Sequence, residues 1–159
     1  MNEQELGQRI IALTATLYHV SCGLLASEAD REDAVQAAIE KAWCKAATLR
    51  DDSRLKSWLV RILVNECYTI LRRRKRELPV EELPDAPASD NSPEPSVLGE
   101  ALLTLPAELR VPLILHYMEG LSIREIASVL RCPLGTVLSR MDRGRKRLKV
   151  ILTEVNDDV

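Results

Sequence analysis

The sequence predicts an all-α protein made of two small helical domains joined by an acidic, proline-rich linker, the second domain carrying a helix-turn-helix. Three observations carry that prediction. Apolar residues recur at alternating spacings of three and four along most of the chain, which is the period of a helix face and not of a strand. Aromatic content is only 3% and Phe is absent, so 159 residues rich in Leu, Ile, Val and Ala suit small helical units better than one large core. Five prolines, Pro79, Pro84, Pro87, Pro93 and Pro95, fall among acids and serines between residues 77 and 97, the composition of a tether. The expected domains are therefore 1–76 and 98–159, with 77–97 as linker.

The first helix is expected from about Glu3 to Leu25, with Leu6, Ile10, Leu13, Leu17, Val20 and Leu24 as its buried seam. Asp30 is placed to cap a second helix, Arg31 to Ala47, with Glu32 and Asp33 near its positive end. Trp43, surrounded by Ala38, Ala42 and Ala46, reads as core. The polar stretch from Thr48 to Lys56 reads as a loop. A third helix follows from Leu55 to Arg76 with Leu55, Trp58, Leu59, Ile62, Leu63 and Ile70 inward. It ends in Arg72-Arg-Arg-Lys-Arg76. Cations suit a helix C-terminus, but five adjacent ones repel each other and exceed what capping needs, so Arg72, Arg73 and Arg74 are candidates for phosphate contact. Asn65, about two turns upstream, can both donate and accept toward a base edge.

In the second domain Gly120 suits a helix end, because it adopts the left-handed conformation without steric cost. Ser122 followed by Glu125 is a capping box, and Ile123, Ile126, Ala127 and Leu130 line one face of a short helix. Arg131-Cys132 makes a tight break before Pro133, which fits the first turn of another helix. That helix has an apolar seam at Leu134, Val137, Met141, Gly144, Leu148 and Ile151. Its other faces hold Thr136, Ser139, Arg140, Arg143, Arg145, Lys146, Arg147 and Lys149. A helix packed on one side and rich in guanidinium and hydroxyl donors elsewhere suits the DNA major groove. A solvated basic helix, or a helical hairpin that binds another protein, would share part of this pattern.

The net charge of −2 conceals a division. Residues 1–76 hold 13 Lys/Arg against 10 Asp/Glu, residues 77–97 none against 6, and residues 98–159 nine against 8. Local basic surfaces set the field that a phosphate meets, so nucleic acid remains a fitting partner, although indiscriminate coating of DNA does not. Cys22, Cys44, Cys67 and Cys132 are far apart and only His19 and His116 accompany them, so no zinc site or other metal or cofactor is expected; buried, reduced thiols in a cytoplasmic protein are. No apolar run is long enough to span a membrane and no leader peptide is recognisable. An enzyme would need a converging nucleophile and base or a phosphate-cradling loop, and the six scattered glycines and outward carboxylates supply neither. A plain repressor or interaction protein would account for the second domain but not for the helix from Asn65 to Arg76.

Taken in order, the segments Asp30-Arg-Glu-Asp-Ala-Val-Gln36, Ser57-Trp-Leu-Val-Arg-Ile-Leu-Val-Asn65, Leu71-Arg-Arg-Arg-Lys-Arg76, Leu105-Pro-Ala-Glu108, Glu119-Gly-Leu-Ser122, Glu125-Ile-Ala127 and Cys132-Pro-Leu-Gly-Thr-Val137 resemble bacterial RNA polymerase sigma factors of the extracytoplasmic-function type, group IV of the sigma-70 superfamily. The resemblance runs from about residue 5 to residue 152. It implies a transcription initiation factor that binds RNA polymerase core and directs it to promoters under the control of an anti-sigma factor. It places contacts to the clamp helices of the largest subunit at Asp33, Gln36, Glu40 and Lys41, and a contact of the second domain at the polymerase flap. It implies minus-ten recognition by Arg50, Ser53 and Arg54 on the loop and by Trp58, Arg61 and Asn65 on the helix, with Trp58 either a base contact or a core residue. It implies minus-thirty-five recognition by Thr136, Leu138, Ser139, Arg140, Asp142, Arg143, Lys146 and Arg147. Four positions depart from the family pattern. Leu55 replaces a frequent aromatic, Leu138 a usual Lys or Arg, Asp142 an aromatic or polar residue, and Arg131 the glycine of the turn. Leu138 can touch a thymine methyl, and Asp142 can accept from cytosine while repelling phosphate.

Overall fold

The structure is a computed structural model that describes residues 1–77 and 97–157, with side chains placed for 1–76 and 97–154. Apart from its two end residues, the expected linker lies outside the described residues. The chain divides into two compact units, Met1–Leu83 and Pro84–Val159, and all regular elements among the described residues are helical.

The first unit contains α1 (Glu3–Cys22), α2 (Glu28–Cys44) and α3 (Leu55–Glu77), with short 3-10 turns at Ala46–Thr48 and Asp52–Arg54. Its core is Leu6, Ile10, Leu17 and Val20 from α1, Ala34, Ala38 and Ala42 from α2, and Leu55, Leu59, Leu63 and Cys67 from α3. Leu13, expected inward, is half-buried at the edge of this seam. Burial pushes the Cys67 thiol up to about 12, because a thiolate there would lose its water. Cys44, by contrast, is exposed, contrary to expectation; among the described residues all four cysteines are free thiols.

Helix α2 begins three residues earlier than expected. The Ser27 hydroxyl, and not the Asp30 carboxylate, caps it by accepting from the Asp30 backbone N–H at 3.4 Å. The extra turn places Arg31 where it is most useful. Only 1% exposed, its Nε donates to the Leu25 carbonyl at 2.9 Å, its Nη2 to the Ala26 carbonyl at 3.2 Å and its Nη1 to Glu28 at 3.4 Å. The guanidinium thereby satisfies two carbonyls of the α1–α2 turn, that of buried Leu25 and that of half-buried Ala26. Glu28 also accepts from the Tyr18 hydroxyl at 2.7 Å, which holds the phenol above its usual range.

Trp43 is also placed differently from expectation, with 44% of its surface exposed. Ala38 and Ala42 are themselves the buried stripe of α2, so their small size serves close helix approach and makes no nest for an indole. The ring edge lies over Gly7, where an added Cβ would stand 3.3 Å from it.

The second unit contains α4 (Val97–Leu103), α5 (Ala107–Leu113), a π turn at Ile114–Met118, α6 (Ile123–Leu130) and α7 (Leu134–Asp157). Pro112 lies inside α5 and lacks the N–H a regular helix would use; the wider π turn follows directly. Arg110 repeats the solution seen at Arg31: only 3% exposed, it donates from Nη1 to the Leu105 carbonyl at 2.8 Å and to the Leu103 carbonyl at 3.4 Å.

The helix-turn-helix forms as expected in outline. Gly120 has φ +71, and Ser122 and Glu125 form the reciprocal capping box at 3.1 and 3.0 Å. Arg131 adopts the left-handed conformation (φ 54) at the end of α6, the conformation for which the family's glycine is suited. Ile126 and Val129 carry the buried face of α6, while Ile123, Ala127 and Leu130 are half-buried. On α7, Val137, Met141, Gly144 and Leu148 are buried, but Leu134, expected in the same seam, is 43% exposed in the first turn.

Candidate nucleic-acid interface

Helix α3 divides its polar residues between two sides. Trp58, Arg61, Asn65 and Arg72 are separated by three, four and seven residues, so they stand on one side of the helix. The first three are half-buried and Arg72 is exposed. Tyr68, three residues beyond Asn65, adds a half-buried aromatic to this side, and the sequence reading missed it although its spacing is the same. The stripe is internally linked: the Thr69 hydroxyl donates to the Asn65 carbonyl at 2.9 Å and Arg72 Nη2 to Thr69 Oγ1 at 3.3 Å. Arg73 is exposed further round the helix. Arg74 is different, because it continues the register of Leu63, Cys67 and Ile70 and so turns toward α2. Its Nε and Nη2 donate to the two Asp30 carboxylate oxygens at 2.9 and 2.7 Å.

The preceding loop presents Arg50, Ser53 and Arg54, all exposed. Asp51 caps its 3-10 turn, accepting from the Ser53 N–H at 3.0 Å and the Ser53 hydroxyl at 2.7 Å, with Arg54 Nε 3.6 Å away. The two Ser53 donors hold the Asp51 carboxyl below its usual range. Arg9 Nη2 donates to the Asp52 carbonyl at 3.1 Å, fixing this loop to α1.

On α2, Asp33, Gln36 and Glu40 share one exposed stripe, with Gln36 Nε2 donating to Glu40 at 3.4 Å. Lys41 points elsewhere, toward α3, where it pairs with Glu66. Trp43, seven residues from Gln36, prolongs the stripe with an exposed indole.

On α7, Thr136 and Arg140 are half-buried, whereas Leu138, Ser139, Asp142, Arg143, Lys146 and Arg147 are exposed. Asp142 does not stand alone, because Lys146 one turn on pairs with it at 3.0 Å. Both are well exposed, so the pair is worth about 0.5 kcal/mol at most, but it offsets the repulsion that a bare carboxylate would exert on phosphate. Arg145 Nη1 donates to the Tyr117 hydroxyl at 3.1 Å across to the π turn, a contact that no local sequence spacing announces. A shallow open depression of about 370 Å³ lies between the α4–α5 junction and α7, lined by Thr104, Leu105, Lys146, Arg147, Val150 and Ile151. Among the described residues, no group of His, Cys, Asp and Glu is arranged to hold a metal ion, and no helix is long and apolar enough to cross a membrane.

Residues 11–77 match the family described as Sigma-70 region 2, and residues 96–148 match Sigma-70, region 4. The chain is 37% identical over 134 residues to the ECF RNA polymerase sigma factor SigM of Mycobacterium tuberculosis, covering 82% of this chain and 68% of that one. It is 34% identical over 138 residues to the ECF RNA polymerase sigma-E factor of Escherichia coli, covering 75% and 72%. Among solved structures, the sigma factor RpoE from Bartonella quintana, in complex with the anti-sigma factor NepR, superposes with a TM-score of 0.78 at 31% identity, covering 94% of this chain and 98% of that one.

Proposed function

Because this chain belongs to the ECF family of RNA polymerase sigma factors, we propose that its two units divide promoter recognition between them, each using one helix face. The protein is a transcription initiation factor and not an enzyme; it binds RNA polymerase and directs it to promoter DNA. The B. quintana relative is bound to an anti-sigma factor, and regulation of this chain by such a partner is the corresponding reading. Residues 1–76 act as the polymerase-binding and minus-ten unit, residues 98–159 as the minus-thirty-five unit, and the protein works in the cytoplasm beside the polymerase.

The observation that carries this division is the stripe Trp58–Arg61–Asn65–Arg72 on α3, preceded in the chain by a loop with exposed Arg50, Ser53 and Arg54. It offers an aromatic, an amide and several cations along one side, a combination suited to extruded bases and their backbone. A repressor with only a helix-turn-helix would have no use for it. On α2, Asp33, Gln36 and Glu40 form the polymerase-facing stripe; Lys41, held by Glu66, supports that helix from behind. In the second unit, Val150 and Ile151 in the depression beside α7 suit the polymerase flap. A pull-down on polymerase core followed by promoter-directed transcription tests the whole reading.

Two narrower results are expected. Asp33→Arg should weaken core binding more than tenfold, or by over about 1.4 kcal/mol, with helicity unchanged because the side chain is exposed; tight binding by the variant would remove Asp33 from the interface. Arg140→Ala should cost roughly 1–3 kcal/mol on the preferred duplex and relax preference at one or two base pairs. Lys146→Ala should instead weaken all duplexes alike and reduce the salt slope by about one unit. Identical sequence profiles for the two variants, measured on the full chain with a duplex library at several salt concentrations, would refute this separation of base from phosphate contacts.

A further inference from the structure

We infer that the Asp30–Arg74 ion pair is a positioning joint that fixes the basic end of α3 against α2, and that Arg74 serves promoter binding through this joint and not by touching phosphate. The inference rests on the reading of α3 as the minus-ten helix, and it removes one cation from a run of five that looks uniform in sequence.

The geometry separates Arg74 from its neighbours. It occupies the next register position after Leu63, Cys67 and Ile70, the buried side of α3, whereas Arg72 stands with Trp58, Arg61 and Asn65 on the open side. Its guanidinium meets both oxygens of Asp30 at 2.7 and 2.9 Å, across 44 residues of sequence. The Asp30 side chain is only 10% exposed and that of Arg74 42%. Paired donors on paired acceptors set direction as well as distance, so the pair determines the angle at which the last turn of α3 leaves the unit. Asp30 is also three residues from Asp33 on α2, one helical turn away. The helix that offers the polymerase its exposed acidic stripe is therefore the one that holds the DNA-facing helix by its basic end.

The pair is only partly buried, with the Arg74 side chain 42% exposed, so its net contribution to stability is small, although removing Arg74 leaves the nearly buried Asp30 carboxylate without this partner. Its value here is orientation: Arg72, Arg73 and Arg76 reach the backbone only if the final turn keeps its direction.

The experiment uses holoenzyme containing Asp30→Asn, Arg74→Ala, the double variant, the exchange Asp30→Arg with Arg74→Asp, and Arg72→Ala and Arg73→Ala for comparison. Affinity for a promoter fork that includes the minus-ten element is measured across salt concentrations, with core affinity and helicity recorded alongside. Arg72→Ala and Arg73→Ala should each lower the salt slope by about one unit. Asp30→Asn and Arg74→Ala should both lower affinity about fivefold to tenfold with the slope unchanged. The double variant should lose no more than either single, and the exchange should restore at least half of the loss. A slope reduction of about one unit for Arg74→Ala, with Asp30→Asn silent, would make Arg74 a phosphate contact and overturn the inference. So would a parallel fall in core affinity and helicity, which marks a pair that only holds the fold, or an exchange variant that folds but regains nothing. Silent Arg72→Ala and Arg73→Ala variants would instead overturn the assignment of α3 to DNA.

Discussion

Gly144→Val should destabilise the second unit by about 3 kcal/mol, the upper end of the usual overpacking penalty, and abolish binding to minus-thirty-five duplexes. A Cβ at Gly144 would stand 2.8 Å from Leu113 Cδ1 and 3.3 Å from the Leu109 carbonyl oxygen. Leu113 is 2% exposed and Leu109 2%, so neither has open space to move into. Valine adds two further methyl groups at the point where α7 crosses α5. Relief requires the helices to separate, and separation moves Arg140 and its neighbours relative to α6. Gly144→Ala should lose far less, because its helix-propensity gain of about 1 kcal/mol opposes a smaller clash. Thermal unfolding of the full chain, followed with duplex titration, checks the series. Equal stability for the valine variant would mean that the α5–α7 crossing is not close-packed at this point.

Arg31→Ala should destabilise the first unit by roughly 3 kcal/mol, from lost charge-assisted hydrogen bonds to one buried and one half-buried carbonyl and from the volume of the deleted stem. For a unit of this size that is a fall in melting temperature on the order of 15 °C. The affected bonds are those to the Leu25 and Ala26 carbonyls and to Glu28. Arg31→Lys should recover only part of the loss, since one ammonium cannot reproduce the spread of a guanidinium fork. Core binding should fall with stability in both variants, because the same turn sets the start of α2 and hence Asp33. Calorimetry of the two variants checks the ordering; a lysine variant as stable as the parent would show that the stem, and not the fork, matters.

The helical class and the helix-turn-helix were legible from local signals alone. Periodicity placed the seams of α1, α3 and α7, and the Ser122–Glu125 box with Gly120 marked the start of α6, because each depends only on residues within a turn or two of one another. The resemblance, which spans most of the chain, named the family that the comparisons then showed. Local signals failed where two residues competed for one role. Ser27 and Asp30 can both cap α2, and the choice falls to Ser27 because the extra turn lets Arg31 close the α1–α2 turn and lets Asp30 meet Arg74. Trp43 looked enclosed by alanines, yet those alanines face the core themselves and leave the indole outside.

What the sequence by itself determined is therefore five of the helices (α1, α2, α3, α6 and α7), most of their inward faces and the chemical character of their outward ones, since these follow from spacing and from side-chain type; α4, α5 and the π turn carried no such local signal. What only the tertiary structure decided is which of those outward groups remain available. Arg74 is drawn to Asp30, Lys41 to Glu66 and Arg145 to Tyr117, each by a partner 25 to 44 residues distant. A run of five cations carries no mark of which one turns inward until the neighbouring helix supplies a carboxylate. Coulombic and hydrogen-bond partners act through space at a few ångströms, and only the packed chain defines which groups come that close.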